Sequence, residues 1–444
     1  MTNNGHLATA NGRHPVTNGR HPAANGRYPA KNGRYPATNG HHPAKNGRLR
    51  VAMVHFSSFE LDSRVQRQAR SLASLGHEVH CVCLDGPERI PVDDGVIRTY
   101  SVARAKPRSG MSNYLKAYAA FFLRAVRRVT ALDMLHPLDL VEVHNMPDFL
   151  TFTGVRAKLR GAPVLLDVHD TFPELFQTKF GVSLNHPFAR VLRAEERLSA
   201  GFADAMLVVT AEAGERLNSR GVGVGKTHVV MNAPDERVFG ASRPPVASPN
   251  GGGPRIVYHG GVAERFGVES LVHAMARLNG HAPDARVEIF GACPVEGARI
   301  RELASQVAPD RVRVAAEPTP FEEIPSKLEG AHVGVVPTLR DEFTELLLPV
   351  KLLEYVHLGI PVVASRLPVT RRYFSDEEVR FFEPGSRESL ADAIKDVCSN
   401  PKAAAARAER ASRRLESFAW RQQRQNYLSV VERLTSHRSR RARV

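Results

Sequence analysis

The chain has 444 residues, 42% of them apolar and 24% charged, a composition ordinary for globular cores and a length suited to two or three domains. A net charge of +15 would suggest nucleic acid if it covered one face, but residues 1–47 hold four Arg and two Lys without an acid, and residues 435–444 hold four Arg without one. Ten of the fifteen charges therefore lie on the termini, and the mildly basic body suits a phosphate-bearing small partner or an anionic surface, with no nucleic acid expected.

Cys81, Cys83, Cys293 and Cys398 are too few and scattered for a disulfide framework and form no CxxC pair, which points to a reducing, cytoplasmic setting without zinc. No stretch has the length and apolarity of a membrane span, and the first residues lack the charged-then-apolar plan of a signal peptide. From Asn11 the sequence repeats every seven residues as NGRHPVT, NGRHPAA, NGRYPAK, NGRYPAT and NGHHPAK. Gly and Pro in every unit forbid a helix, so the period is not a coiled coil, and residues 1–47 are expected to be a disordered tail.

Order is expected from Leu49. Leu49–Phe56 has the run of a buried strand, Asp62–Leu75 places Val65, Ala69, Leu72 and Leu75 in helical register behind an Asp62 cap, and a second strand ends near Leu84. This βαβ opening predicts a parallel, doubly wound sheet. Asn113–Leu135 reads as a long helix with Tyr114, Tyr118, Phe121, Phe122 and Val126 among Lys116, Arg124, Arg127 and Arg128. That pattern fits a helix packed on the sheet with its arginines in water, and equally one whose aromatic face rests on an anionic bilayer.

Two strand ends then draw attention, because ligands of open α/β sheets sit at the carboxyl ends of strands. Leu140–Asn145 ends in His144-Asn145, and Val164–Asp170 ends in His169-Asp170, with Glu174 a turn later. Paired HN and HD tips would put imidazoles and carboxylates on one rim, although a lone strand-end His is commonly structural. Ala203–Thr210 is another strand, His228–Asp235 a crossing, and 244–253 a linker rich in Pro, Ser and Gly. A second half opens with the strand Arg255–His259, the turn Gly260-Gly261, and Arg265 ahead of a helix from Glu269 to Leu278, an arrangement seen at phosphate sites but weak by itself. Strands at Val287–Phe290, Val312–Ala315 and Val333–Pro337 alternate with helices; helices within 386–416 follow the Thr344–Ser365 stretch, and a last helix begins at Phe418-Ala419-Trp420.

The stretch Thr344–Ser365, TELLLPVKLLEYVHLGIPVVAS, is the most informative. Pro349 would open a helix that stops at Gly359 before a buried strand from Ile360 to Ala364. Lys351 lies in the first turn, where free N–H groups and the dipole favour phosphate, and Glu354 sits one turn on, in reach of ribose hydroxyls. The same residues also fit an amphipathic helix with a solvent-facing Lys and Glu.

This segment resembles the donor-binding motif of retaining glycosyltransferases of family 4, in which Glu-x7-Glu ends a helix before a Gly-x-Pro-Val strand. Glu354 matches the second Glu, while the first falls on Leu346, with Glu345 one residue off. Relatives show an Arg after the first Gly of the glycine turn and a Lys before the later one; here those places hold Gly261 and Phe266, and Arg265 is the cation kept. The resemblance covers about residues 48–435 and implies an α/β GT-B fold of two Rossmann-like domains facing a central cleft. The acceptor domain would be 48–240 with a crossing helix at 420–436, the donor domain 254–419, and the ends 1–47 and 437–444 tails.

The function so implied is transfer of a sugar from a nucleotide-diphosphate donor, UDP in the first instance, with retained anomeric configuration. The acceptor would be a glycan, a lipid-linked sugar or a natural product, and no cofactor or metal is implied, cations taking the metal's place. Gly260, Gly261, Arg265, Lys351 and Glu354 would bind the donor, with Arg265 and Lys351 on the diphosphate and Glu354 on the ribose. His169, Asp170 and Glu345 would line the reaction centre, and His144, Asn145 and Glu174 the acceptor side. A nucleotide-sugar 2-epimerase of similar fold and a nucleotide-binding pseudoenzyme remain as rivals.

Overall fold

The computed structural model describes residues 47–85, 89–92, 95–103, 111–183, 185–240, 253–278, 284–291, 294–317 and 319–441. The heptapeptide tail up to residue 46, nearly all of the linker at 244–253, Cys293 and the last three residues lie outside them.

Two sheets are present, and each grows from runs of apolar residues buried on both faces, as parallel strands under helices must be. The first contains β1 (Arg50–His55), β2 (Glu78–Cys83), β3 (Arg89–Val92), β4 (Gly95–Ser101), β5 (Leu140–His144), β6 (Val164–Val168), β7 (Ala205–Val208) and β8 (Thr227–Val229). Their order is β3-β4-β2-β1-β5-β6-β7-β8, parallel except for the β3–β4 edge pair. The second contains β9 (Arg255–His259), β10 (Arg286–Phe290), β11 (Val312–Val314), β12 (Val333–Val336), β13 (Val362–Ser365) and β14 (Arg380–Phe382), in the order β11-β10-β9-β12-β13-β14. Strand order reverses between β1 and β5 and between β9 and β12, so each sheet offers a crevice at the carboxyl ends of those strands.

The first helix, Ser63–Ala73, is capped by Asp62, whose carboxylate accepts the Val65 N–H at 3.4 Å. Val65, Ala69 and Leu72 are fully buried, but the helix ends before Leu75, which is 40% exposed. The helix Met111–Leu135 turns its aromatic side inward: Phe121 is fully buried, Phe56 meets both Tyr118 and Phe121 edge-on, and Phe122 meets Phe149. Phe121 is therefore core, whereas Tyr114, Tyr118 and Phe122 are half-buried and Leu115 and Leu123 are exposed. Among the described residues no helix is long and apolar enough to cross a membrane.

The helix Val350–His357 has Pro349 as its N-cap rather than inside its first turn, buries Leu352, Leu353 and Val356, and gives way to Gly359 at φ +70°. Positive φ suits glycine and lets the chain reverse into β13, which begins at Val362. The last helix, Trp420–Arg441, packs on the first sheet: Tyr427, Val430 and Val431 join the core of β1, β2 and β5, and Gln423 Oε1 accepts the Met231 N–H at 2.9 Å. The first and last of the described elements, β1 and this helix, thus share one sheet.

Candidate functional site

The second sheet supplies a cationic lip. After β9 the chain turns at Gly260, φ +103°, where a Cβ would stand 3.2 Å from Lys351 Nζ. The bare backbone lets Lys351 lie along the turn, and its ammonium donates to Tyr258 Oη at 2.6 Å and sits 4.0 Å from that ring's centroid. Tyr258 in turn donates to the Gly261 carbonyl, which fixes the turn's shape. Gly267 closes it at φ +66°, with its Cα so near the Pro337 carbonyl that a Cβ would lie 1.8 Å from the oxygen, so only glycine fits.

Arg265 shares the Phe266 ring with Lys351 in this lip: Lys351 Nζ is 5.0 Å and the Arg265 guanidinium carbon 5.8 Å from the centroid. Arg265 also lies 5.6 Å from the Phe343 ring, and its Nη1 has no hydrogen-bond partner among the described residues. Burial pushes the Lys351 ammonium down to about 7, against the pull of Glu354. An ammonium poised near neutrality beside an unpaired guanidinium is an arrangement that gains from an incoming dianion.

Glu354, one turn after Lys351, is buried and accepts from His259 Nε2 at 2.6 Å, while His259 Nδ1 meets Tyr355 Oη at 3.0 Å. The carboxylate is thereby held in one orientation at the end of β9.

The first sheet supplies the opposite wall. Asp167 Oδ2, near the end of β6, lies 3.2 Å from His144 Nδ1, 3.1 Å from His169 Nε2 and 2.8 Å from Gln68 Nε2, and all four side chains are buried. Burial would raise the Asp167 carboxyl, but the adjacent His169 and the hydrogen bonds from both histidines outweigh it and hold it well below the usual carboxylate range. Asn145 ties the two strand tips together: its Oδ1 accepts the His169 N–H at 2.8 Å and its Nδ2 donates to the Asp170 carbonyl at 2.7 Å and to Asp148 at 2.8 Å.

Among the described residues, His144, Asp167 and His169 form the one trio with donor atoms spaced for a metal ion. The same Asp167 oxygen meets both histidine nitrogens and the Gln68 amide, so the three groups hold one another directly. The trio is better described as a network that fixes the His169 ring.

The two walls meet in a recess lined by His169, Asp170, Thr171, Val209 and Ala213 on one side and by Phe343, Leu346 and Leu347 on the other. Ring contacts thus run from Lys351 through Phe266 and Arg265 to Phe343, which lines this recess together with His169. Leu346 is buried there, with its carbonyl accepting from Thr210 Oγ1 at 2.8 Å.

The structure brings Gly260, Gly261, Arg265, Lys351 and Glu354 to one crevice and His169 and Asp170 to the facing one. Four expectations are corrected. Glu345 is paired with Arg340 at 3.7 Å and does not line the recess, which Leu346 does. Glu174 is fully buried, 2.7 Å from Arg220, so its charge is committed inside the domain rather than to an acceptor. His144 and Asn145 are buried beneath the rim and position His169 instead of facing a ligand. Tyr258, His259 and Asp167 went unread in the sequence; Asp167 is the third member of the same strand end, two residues from His169, and its alternation onto the same face was the available signal.

With this geometry in view, the comparisons are informative. Residues 61–233 match the family described as glycosyl transferase 4-like domain and residues 253–400 that described as glycosyl transferases group 1. Sucrose-phosphate synthase from Thermosynechococcus elongatus superposes with a TM-score of 0.71 at 18% identity, over 88% of this chain and 100% of that one. Anabaena HepE in complex with UDP-glucose gives 0.63 at 15% identity, over 88% and 100%, and trehalose 6-phosphate synthase from Burkholderia multivorans gives 0.63 at 14%, over 89% and 99%. No curated protein sequence matches.

Proposed function

The chain belongs to the group 1, family 4 glycosyltransferases and is a transferase of the GT-B fold, and we propose that it moves a sugar from a UDP-linked donor with retention of anomeric configuration and without a bound metal. Arg265 and Lys351 hold the diphosphate, Glu354 in its His259-fixed orientation takes the ribose hydroxyls, and the sugar lies in the recess between Leu346 and His169. The observation that carries this reading is the pair of cations at the Phe266 ring, of which Arg265 also lies by Phe343, a residue lining the recess that His169 borders.

In such a site the bond from the anomeric carbon to the diphosphate oxygen breaks as the acceptor oxygen approaches the same face, and the leaving phosphate takes the acceptor's proton. Negative charge grows on the diphosphate during that step, where two fixed cations stabilise it most. UDP as the donor nucleotide is supported by a fold shared with a protein that binds UDP-glucose. The acceptor is a glycan, a lipid-linked sugar or a natural product.

The test is incubation with a panel of nucleotide sugars, followed by NMR. Slow release of UDP and a sugar whose first-formed anomer matches the donor's supports the reading. Conversion of one nucleotide sugar to its C2 epimer would instead identify an epimerase, and binding of UDP with no turnover of any donor a pseudoenzyme.

A further inference from the structure

A second recess lies beside the reaction centre. It is lined by Arg64, Arg67, Gln68, His169, Asn232 and Trp420, with Asp167 at its floor. His169 is common to both recesses, so the two are one side chain apart.

Arg67 is the unusual group here. It is 6% exposed, and among the described residues its guanidinium makes no hydrogen bond or ion pair, with Nε recorded as buried and unpartnered. Its one close neighbour of note is the Trp420 ring, 5.2 Å away. Three carboxylates act on it from a distance, and each is committed elsewhere: Asp235 to Arg237 Nε at 3.0 Å, Glu354 to His259 at 2.6 Å, and Asp62 to the Val65 N–H and to Arg64 at 3.9 Å. Burial pushes the Arg67 guanidinium down to about 10 even with these three carboxylates opposing it, the sign of a cation whose burial is only partly offset.

A buried, unpaired guanidinium is costly unless something else completes it. Arg67 opens onto a recess that already contains a second arginine, two amides and His169, and it belongs to the helix Ser63–Ala73, which packs on the first sheet. Resting on the function proposed above, we infer that this recess receives an anionic substituent, phosphoryl or carboxylate, on the acceptor sugar, with Arg67 as its principal ligand and Arg64 as the second. An acceptor anchored there would have its remaining hydroxyls directed past His169 toward the donor recess. The site would select charged acceptors over neutral ones, because a neutral sugar leaves the Arg67 charge unanswered.

Trp420 is the sole tryptophan of the chain and lies against Arg67, so its fluorescence reports on the recess. Protein saturated with UDP is titrated at constant ionic strength with glucose 6-phosphate, glucuronate and glucose, for wild type, Arg67→Gln and Arg67→Lys. The expected result is a saturable change with one or both anionic sugars, at least tenfold tighter than with glucose, weakened at least tenfold by Arg67→Gln and partly restored by Arg67→Lys. The phosphate and carboxylate arms decide which anion is preferred. Thermal melting of the free proteins separates a ligand group from a structural one: the inference expects Arg67→Gln to melt at or above the wild-type temperature, since it removes a charge whose burial is only partly offset. No saturable response to either anionic sugar, an unchanged affinity in Arg67→Gln, or a marked fall in its melting temperature would overturn the inference. Calorimetry of UDP in the same samples reads the donor half independently, so UDP binding with no anion response sinks this inference alone, and failure of UDP itself sinks the donor reading.

Discussion

Lys351 and Glu354 could be found in the sequence because the spacing of one helix fixes them one turn apart. Their partners could not: Tyr258 is 93 and His259 95 residues away, and only the adjacency of β9 to the helix Val350–His357 brings them together. Arg265 was legible as a cation near a glycine turn, but its pairing with Lys351 depends on the Phe266 ring that both approach. The depressed Lys351 leads to a measurable linkage. A bound diphosphate favours the ammonium, so its pKa rises above the free-protein value of about 7 and binding takes up a proton across that window. UDP affinity should therefore fall as pH rises above about 7, by up to about tenfold per pH unit for one proton. Calorimetry in buffers of different ionisation enthalpy should show proton uptake in wild type and none in Lys351→Met; equal uptake in both would assign the proton to another group.

At the scale of elements, the alternation of buried apolar runs and amphipathic helices was enough to place β1, β2, β5 to β7 and β9 to β13, with errors at their ends, where one residue of capping chemistry decides, whereas β3, β4, β8 and β14 were not read as strands. Aromatic periodicity in Met111–Leu135 marked an apolar face but not what covers it, since a sheet and a bilayer accept the same stripe. The strand tips were read correctly as a locus and too generously as ligands, because burial of His144, Asn145 and Glu174 is a tertiary outcome. The crossing helix supplies its own test. Tyr427 Oη donates to Glu142 Oε2 at 2.6 Å, both side chains are fully buried, and burial pushes the Glu142 carboxyl up to about 7 even with this bond and His144 opposing it. Tyr427→Phe should lower unfolding free energy by about 1–3 kcal/mol through the acceptor left unpaired. A denaturant melt with an unchanged midpoint would show that Glu142 is satisfied otherwise.

For the whole molecule, the fold followed from the βαβ rhythm of both halves, whereas the buried charge inside the first could not be foreseen. Glu196 is 2% exposed, and burial pushes its carboxyl up to about 8 despite Arg220 at 2.9 Å, with Asp148 and Glu174 adding to the rise. The folded state thus holds a proton that the unfolded chain has lost between about 4.5 and 8, so this contribution is fully present below 4.5 and disappears as pH rises through 8. Stability should decline across that range, and Glu196→Gln should flatten the slope in denaturant midpoints measured at several pH values; a parallel profile would exclude Glu196 as a source.

The central claim is that Arg265 and Lys351 act together on a leaving diphosphate, and it is tested by kcat/KM for the single and double alanine variants beside their UDP affinities. Arg265→Ala and Lys351→Ala should each lower kcat/KM about 10²-fold, on the order of 3 kcal/mol, with a smaller loss in UDP binding, because the charge they meet is greatest in the transition state. The double variant should fall short of the product of the two losses, since both cations serve one group. Near wild-type turnover in Lys351→Ala would contradict the account and leave Lys351 a half-buried lysine with no part in the reaction.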